Sequence, residues 1–306
     1  MKEQIIQLFS EQYNVPFGAF EKTFNNFYEH PFQASKCIRL VAIRDKEVLG
    51  FQSFFYWPCS FKGKQYQVFQ SGNSLVSPAA RGKGVFGRLL AYVFENKDKL
   101  KYDLLIGFPV EMSFGSFMRK NWEHPFDLRW YVKIGSPIRS LLGNPEKAMA
   151  KRFSSKPSRF IDSSSERFQV DYSEPFFNYR DAYSDGSYFF FEFEADGKSA
   201  LFVLKIQTRK KVIRECIIGK VIADSYEETF LQSAFRALIK EIRKSGAATL
   251  ISIAFNPLDK QLKSATEKLG FRKLERIIRF IYYGDLPNEL KAYDQWAMFR
   301  ADIDTW

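Results

Sequence analysis

Residues 74–94, SLVSPAARGKGVFGRLLAYVF, join an extended apolar segment to an amphipathic helix through a basic, glycine-bearing turn. Gly72-Asn73-Ser74-Leu75-Val76 closes a β-rich run, Pro78 lacks the N–H that would continue its ladder, and Val85, Phe86, Leu89, Leu90, Val93 and Phe94 repeat at helical spacing. The turn residues 80–84 therefore sit at a helix N-terminus, where backbone N–H groups lack intrahelical acceptors and the macrodipole is positive. Gly82 and Gly84 remove side chains that would hold an anion away, while Arg81, Lys83 and Arg88 add charge. Such a corner suits a phosphate or pyrophosphate, although a simple chain reversal uses the same residues. Neither G-x-x-x-x-G-K-[ST] nor G-x-G-x-x-G is present.

The 306 residues are enough for two cores, and 45% hydrophobic with 26% charged residues is a globular balance. No run approaches the roughly 18 apolar residues of a membrane helix, and Met1-Lys2-Glu3-Gln4 continues without a signal peptide's apolar core. Cys37, Cys59 and Cys216, far apart and without C-x-x-C, read as small buried hydrophobes of a reducing cytoplasm. With only His30 and His124, no metal site is expected. A net charge of +11 points to an anionic partner, whether a phosphate-rich cofactor, an acidic substrate or nucleic acid. The basic residues form no block of five or six, which favours a solvated surface over nucleic-acid binding. The 33 phenylalanines fall in alternating or helical patterns and read as core.

Periodicity predicts helices over residues 2–14 and 17–28, broken at Pro16, then strands at 39–43, 48–57 and 65–76 as an antiparallel meander. After the helix at 85–94 come a buried strand at 103–108 and a short helix at 113–120. Residues 136–175 turn to Ser, Pro, Lys and Arg, including Ser163-Ser164-Ser165, and read as a linker with one helix near Pro145 to Phe153. Strands resume at 188–193, 200–206 and 216–222. A helix follows with Phe230, Leu231, Ala234, Phe235, Leu238, Ile239 and Ile242 on one face, then a buried strand at 250–255. The order of the first half repeats. Between strand and helix the second half carries Asp224, Glu227 and Glu228 with no glycine, and Ser225 with Glu228 reads as a capping box.

Arg81-Gly82-Lys83-Gly84-Val85-Phe86-Gly87 resembles the acetyl-CoA loop of the GNAT acyltransferases, whose pattern is Arg or Gln, two residues, Gly, one residue, then Gly or Ala. Arg81 and Gly84 match. Phe86 occupies the sixth place and Gly87 comes one residue late. The element order over residues 1–135 is similar to that of the family, and Glu267-Lys268-Leu269-Gly270-Phe271, aligned with Arg119-Lys120-Asn121-Trp122, looks like the ending of a second copy. The expected architecture is α/β (α+β): two GNAT-like domains, each a mixed, mostly antiparallel sheet flanked by helices. Residues 1–135 would bind acetyl-CoA, 136–175 link, and 176–306 form a degenerate copy shaping the substrate side.

The resemblance implies an acetyl-CoA-dependent N-acetyltransferase in which the amine of a small acceptor, acidic or an amino sugar, attacks the thioester directly in a ternary complex. It assigns Leu75 and the Val76 N–H to the thioester end, and Arg81, Gly82, Lys83, Gly84, Val85, Phe86, Gly87 and Arg88 to the pyrophosphate. Pro109-Val110 stand where many members carry Asn. Phe117 stands where a proton-donating Tyr is common, which leaves Ser113, Ser116 or water for that task. Glu111 is the first choice of base, ahead of His124, Glu123 and Asp127. Asp302-Ile303-Asp304-Thr305-Trp306 reads as a frayed acidic tail, or as a strand closing the substrate pocket. Two other classes share the pattern: a Fem-type aminoacyl-tRNA-dependent transferase, and a non-catalytic acyl-CoA-binding module.

Overall fold

Alternating apolar residues in the meander and the helical repeat at residues 85–93 require a sheet with helices laid on it, and one sheet organises the molecule. The computed structural model describes residues 1–141, 143–158, 166–184, 187–209 and 212–306. In chain order the first half contains α1 (Lys2–Tyr13), α2 (Phe17–Phe24), β1 (Ile38–Arg44), β2 (Glu47–Tyr56), β3 (Cys59–Phe61), β4 (Lys64–Tyr66), β5 (Val68–Val76), α3 (Val85–Glu95), α4 (Lys97–Leu100), β6 (Leu104–Gly107), α5 (Glu111–Met118) and β7 (Glu123–Ile134). Then follow α6 (Pro145–Ala150), β8 (Gln169–Val170), α7 (Glu174–Tyr183), β9 (Tyr188–Ala195), β10 (Lys198–Arg209), β11 (Ile213–Ala223), α8 (Glu228–Ser245), β12 (Leu250–Phe255), α9 (Lys260–Lys268) and β13 (Arg272–Tyr283).

The ten-stranded sheet runs β1-β2-β5-β6-β13-β7-β12-β11-β10-β9. The series β9-β10-β11-α8-β12-α9-β13 repeats β1-β2-β5-α3-β6-α5-β7, and the two series exchange their last strands. β13 pairs antiparallel with β6 (Ile281 with Gly107, Tyr283 with Leu105), and β7 pairs antiparallel with β12 (Tyr131 with Ile253). β7 and β13 then pair with each other at the centre. Among the strand pairs of the described residues only β5 with β6 and β11 with β12 are parallel, so the sheet is mixed and mostly antiparallel, as the resemblance implied.

The core falls into layers on the two faces of this sheet. α1 and α2 cover Phe51, Phe55 and Leu75, while Phe280 packs on Phe108, Phe126 and Trp296; α3 and α5 cover Phe54, Phe69, Leu105 and Ile281 on the opposite face; α8 and α9 cover Phe202, Ile218 and Ile253. Some boundaries differ from the periodic reading. The strand expected at residues 65–76 divides at Gln67, whose N–H donates to Asp103 Oδ2 (2.7 Å) and whose carbonyl accepts from the Asp103 N–H (2.9 Å). The helix expected to Tyr28 passes at Asn25–Glu29 into a single π turn, and the one expected at 113–120 starts two residues earlier, at Glu111. The capping box does not form. α8 starts at Glu228 itself, so Ser225 lies before the cap and its Oγ accepts from the Glu227 N–H (3.2 Å), while Glu228 engages Lys268 and Gln232. Within residues 136–175, β8 pairs with β3, and Ser163-Ser164-Ser165 lie outside the described residues. Cys59 and Cys216 are buried free thiols, and burial pushes the Cys37 thiol up to about 12.

Strand exchange carries a stability prediction. A fragment of residues 1–135 keeps β7 without β12 and β13 and leaves β6 with an open edge, exposing ladder groups and apolar surface together. Urea titration of that fragment is expected to show no cooperative transition until residues 136–306 are supplied in trans; a fragment that melts sharply alone would contradict this.

Candidate functional site

β5 and β6 run in register from Val68 with Leu104 to Ser71 with Gly107, and there their pairing ends. β5 continues against β2 to Val76, opposite Gly50. The Ser77 N–H donates to the Leu49 carbonyl at 2.9 Å, and amides alternate sides along a strand, so the Val76 N–H points into the gap vacated by β6. The parting coincides with a bulge. Asn73 has φ of 48°, and the β2–β5 register slips between Phe51 and Ser53. A relay of side chains fixes it: Asn73 Nδ2 donates to Tyr28 Oη (2.8 Å), Tyr28 Oη contacts Ser53 Oγ (3.0 Å), and Ser53 Oγ donates to the Gly72 carbonyl (2.7 Å).

Gly72 itself is required by space. A Cβ built there would lie 2.7 Å from Phe55 Cε2 and 2.9 Å from Asp304 Oδ2. Gly72→Ala must displace a buried ring or a buried carboxylate, and a cost of roughly 1–3 kcal/mol in unfolding free energy is expected by denaturant titration.

Beyond Val76 the chain turns at Pro78–Ala80 and enters α3 through Gly82 (φ 75°) and Gly84 (φ 73°). Gly84 is the N-cap, and no side chain caps the helix. First-turn amides of Val85, Phe86 and Gly87 therefore have no intrahelical acceptor. A Cβ on either Gly82 or Gly84 would meet nothing within 4 Å, so the corner is open on the side from which a ligand must come. Lys83 and Arg88 are exposed beside it, whereas Arg81 turns back to the Val76 carbonyl (Nε 3.3 Å) and to Gln12. Val85 and Leu89 are buried, Val85 against Gly50, and Leu75 packs on the α1–α2 face. Phe86 leans away from the corner onto Phe117 (centroids 5.6 Å, 85°), which in turn packs on Trp122 at 4.8 Å. Each departure from the loop pattern thus has a packing partner in the other.

At the far end of β6, Phe108, Pro109, Val110 and Glu111 face Arg276, Ile278, Arg279 and Arg300 across a cleft of about 430 Å³. Glu111 lies there but is engaged by Arg279, whose Nη1 is 2.6 Å from its Oε2. That contact occupies an oxygen a base would use. Ser116 is on the same helix, its Oγ accepting from Arg119 Nη2 (3.1 Å). His124 is paired with Asp127 (2.8 Å), and Glu123 accepts from Tyr282 Oη (2.6 Å).

The C-terminal segment departs most from its reading as a frayed tail. Asp302, Asp304 and Trp306 are all buried. Asp302 forms an ion pair with Lys220 on β11 (both Oδ at 3.0 Å from Nζ), and Lys220 Nζ also donates to the Ala297 carbonyl (2.8 Å). Arg180 on α7 donates through Nη2 to the carbonyls of Ala301 (3.1 Å), Ile303 (2.9 Å) and Trp306 (2.9 Å). The alternation of aspartates was visible in the sequence. The cations that bury them were not, because they lie about 80 to 125 residues earlier in the chain.

This combination, a mixed sheet whose parallel pair parts beside an uncapped glycine-rich helix start, is the α/β arrangement of the GNAT type. Residues 2–124 match the family model described as the acetyltransferase (GNAT) domain. Among solved structures, a GCN5-related N-acetyltransferase from Kribbella flavida is similar over 91% of this chain and 67% of its own, with 13% identity and a TM-score of 0.61. One from Anabaena variabilis is similar over 91% and 69%, with 12% identity and a TM-score of 0.63. Eis1 from Mycobacterium abscessus is similar over 87% and 71%, with 13% identity and a TM-score of 0.50. At these identities the likeness is one of fold. The curated proteins contain no match. Among the described residues no helix is long and apolar enough to cross a membrane.

Proposed function

We propose that this chain is an acetyl-CoA-dependent N-acetyltransferase acting on the amine of a small acceptor by direct attack within a ternary complex. One observation carries the reading: the pairing of β5 and β6 stops at Ser71 and Gly107, and the amide edge so freed is joined through the turn at Pro78–Ala80 to the uncapped start of α3. A pantetheine chain in that gap would present its thioester near the Val76 N–H, which can stabilise the oxyanion, and its diphosphate to the amides of residues 82–87. Lys83 and Arg88 add charge at that end. The second half, with Asp224, Glu227 and Glu228 at the corresponding helix start, repels an anion and is assigned to the acceptor side. Phe117 supplies no proton, and the mechanism does not require one there, because a CoA thiolate is a tolerable leaving group.

A thermal-shift titration tests binding. Acetyl-CoA at about 100 times its Kd is expected to stabilise the protein by roughly 2.7 kcal/mol. Thiol release on adding a panel of primary amines (an amino sugar, a polyamine, a peptide N-terminus) then separates a transferase from a binding module. An unmoved melting curve with acetyl-CoA, together with binding of aminoacyl-tRNA, would replace this reading by a Fem-type transferase.

A further inference from the structure

Direct attack needs a group that takes a proton from the amine, and it must stand on the acceptor's side of the sheet. α3 and α5 lie on one face of β5; Gly72 turns its missing side chain to the other, toward Phe55 and the α1–α2 layer. On that face, at the residue after the last β5–β6 pair, stands Asp304, with Oδ2 2.9 Å from where a Gly72 Cβ would be. Its surroundings hold buried polar atoms that have no hydrogen-bond partner among the described residues. These are both amide atoms of Gln70, two positions back on the same strand face, together with Arg300 Nη1. Buried polar groups are nearly always paired, so such a cluster marks a place where a polar ligand or its water completes the bonding. The sequence reading favoured Glu111, which lines the cleft at the end of β6 and is held there by Arg279.

From this geometry we infer that Asp304 is the general base of acyl transfer, set at the point where the two strands part. The inference rests on the acetyl-transfer reading above. The amine nitrogen bonds to the thioester carbonyl carbon, one amine proton passes to the Asp304 carboxylate, and the tetrahedral adduct collapses with cleavage of the C–S bond. CoA leaves as the thiolate, and the proton held by Asp304 returns to it or to solvent. Charged and titratable groups facing Asp304 are Arg180 and Tyr183 from α7, Arg300 from the C-terminal turn and Tyr28 from the π turn. Burial raises the carboxyl above its ordinary range, with the two arginines opposing that shift, and a base raised in this way serves better near neutrality.

Wild-type protein and Asp304→Asn are compared with acetyl-CoA and the amine panel. The variant is expected to lose about 100-fold or more in kcat/KM while its acetyl-CoA Kd stays within about twofold, and Asp304→Gly is expected to regain rate on addition of formate. A folded Asp304→Asn enzyme within about threefold of wild type, or a folded Asp304→Gly enzyme that formate does not rescue, overturns the assignment. Should both variants unfold, the wild-type pH profile decides: the acid limb of kcat/KM is expected to keep its midpoint across acceptors, and a midpoint that follows each acceptor's own amine pKa overturns the proposal. If the wild type neither binds acetyl-CoA nor releases thiol with any amine, the transferase reading falls and Asp304 with it. An active wild type matched by its Asn variant sinks only the base.

Discussion

Asp302→Ala is expected to cost about 3–5 kcal/mol of unfolding free energy, because it leaves the ammonium of Lys220 charged and unpaired in the interior. Both side chains are fully buried, and Lys220 keeps only the Ala297 carbonyl once the carboxylate is gone. Phe299 also loses the acceptor of its N–H, which Asp302 Oδ2 takes at 2.6 Å. The aromatic faces of Phe299 and Tyr172, 5.0 and 5.3 Å from Nζ, recover a minor part of the loss. The double variant Lys220→Met/Asp302→Leu removes both charges and is expected to lie much closer to wild type, as buried pairs replaced by apolar groups commonly do. Guanidinium titrations of the two variants check the pair. Equal losses would mean that the segment is held by packing of Trp296 and Met298 and not by charge.

That pair matters to the site because it anchors the segment bearing Asp304. Two latches hold it from different elements, Lys220 of β11 on Asp302 and Arg180 of α7 on the carbonyls of Ala301, Ile303 and Trp306. A carboxylate placed against the bulge from a free chain end would sample many positions. Fastened on both sides, it is fixed against Gly72 of β5, and fixed geometry is what an intracomplex proton transfer needs.

The helices α3 and α8 and the strands beside them were legible because their apolar residues keep strict periods, and period is a local property. β7 and β13 were not. Glu123, His124, Asp127 and Arg129 in one, and Arg272, Lys273, Glu275 and Arg276 in the other, interrupt any alternation. The exchange between them is a choice of partner that no window of residues encodes. The turn before α3 was legible down to Gly82 and Gly84, whose positive φ angles follow from their role as turn and cap. Phe86 and Phe117 were read separately as departures from a family pattern, and only the packed structure shows that they fill one site together. Lys220 lies among the apolar residues of β11 and offered no signal of its own, so the burial of Asp302 could not be anticipated from the tail.

Gly84→Glu is expected to abolish acetyl-CoA binding, by at least about 100-fold in Kd, while the protein remains folded. The substitution places a carboxylate where the diphosphate approaches, and a like-charge contact at about 4 Å costs on the order of 1–4 kcal/mol at the dielectric of water or a protein surface. A side chain at φ of 73° adds local strain of about 1 kcal/mol, too little to unfold a molecule of this size, and its Cβ meets nothing within 4 Å. Isothermal titration with acetyl-CoA, run beside a melting curve without ligand, separates binding from stability. Gly84→Ala is the control: it carries the same backbone strain without the charge, and is expected to weaken binding by less than the Glu variant. Unchanged affinity in Gly84→Glu would show that the carrier docks away from the start of α3, and the freed edge of β5 would then need another explanation.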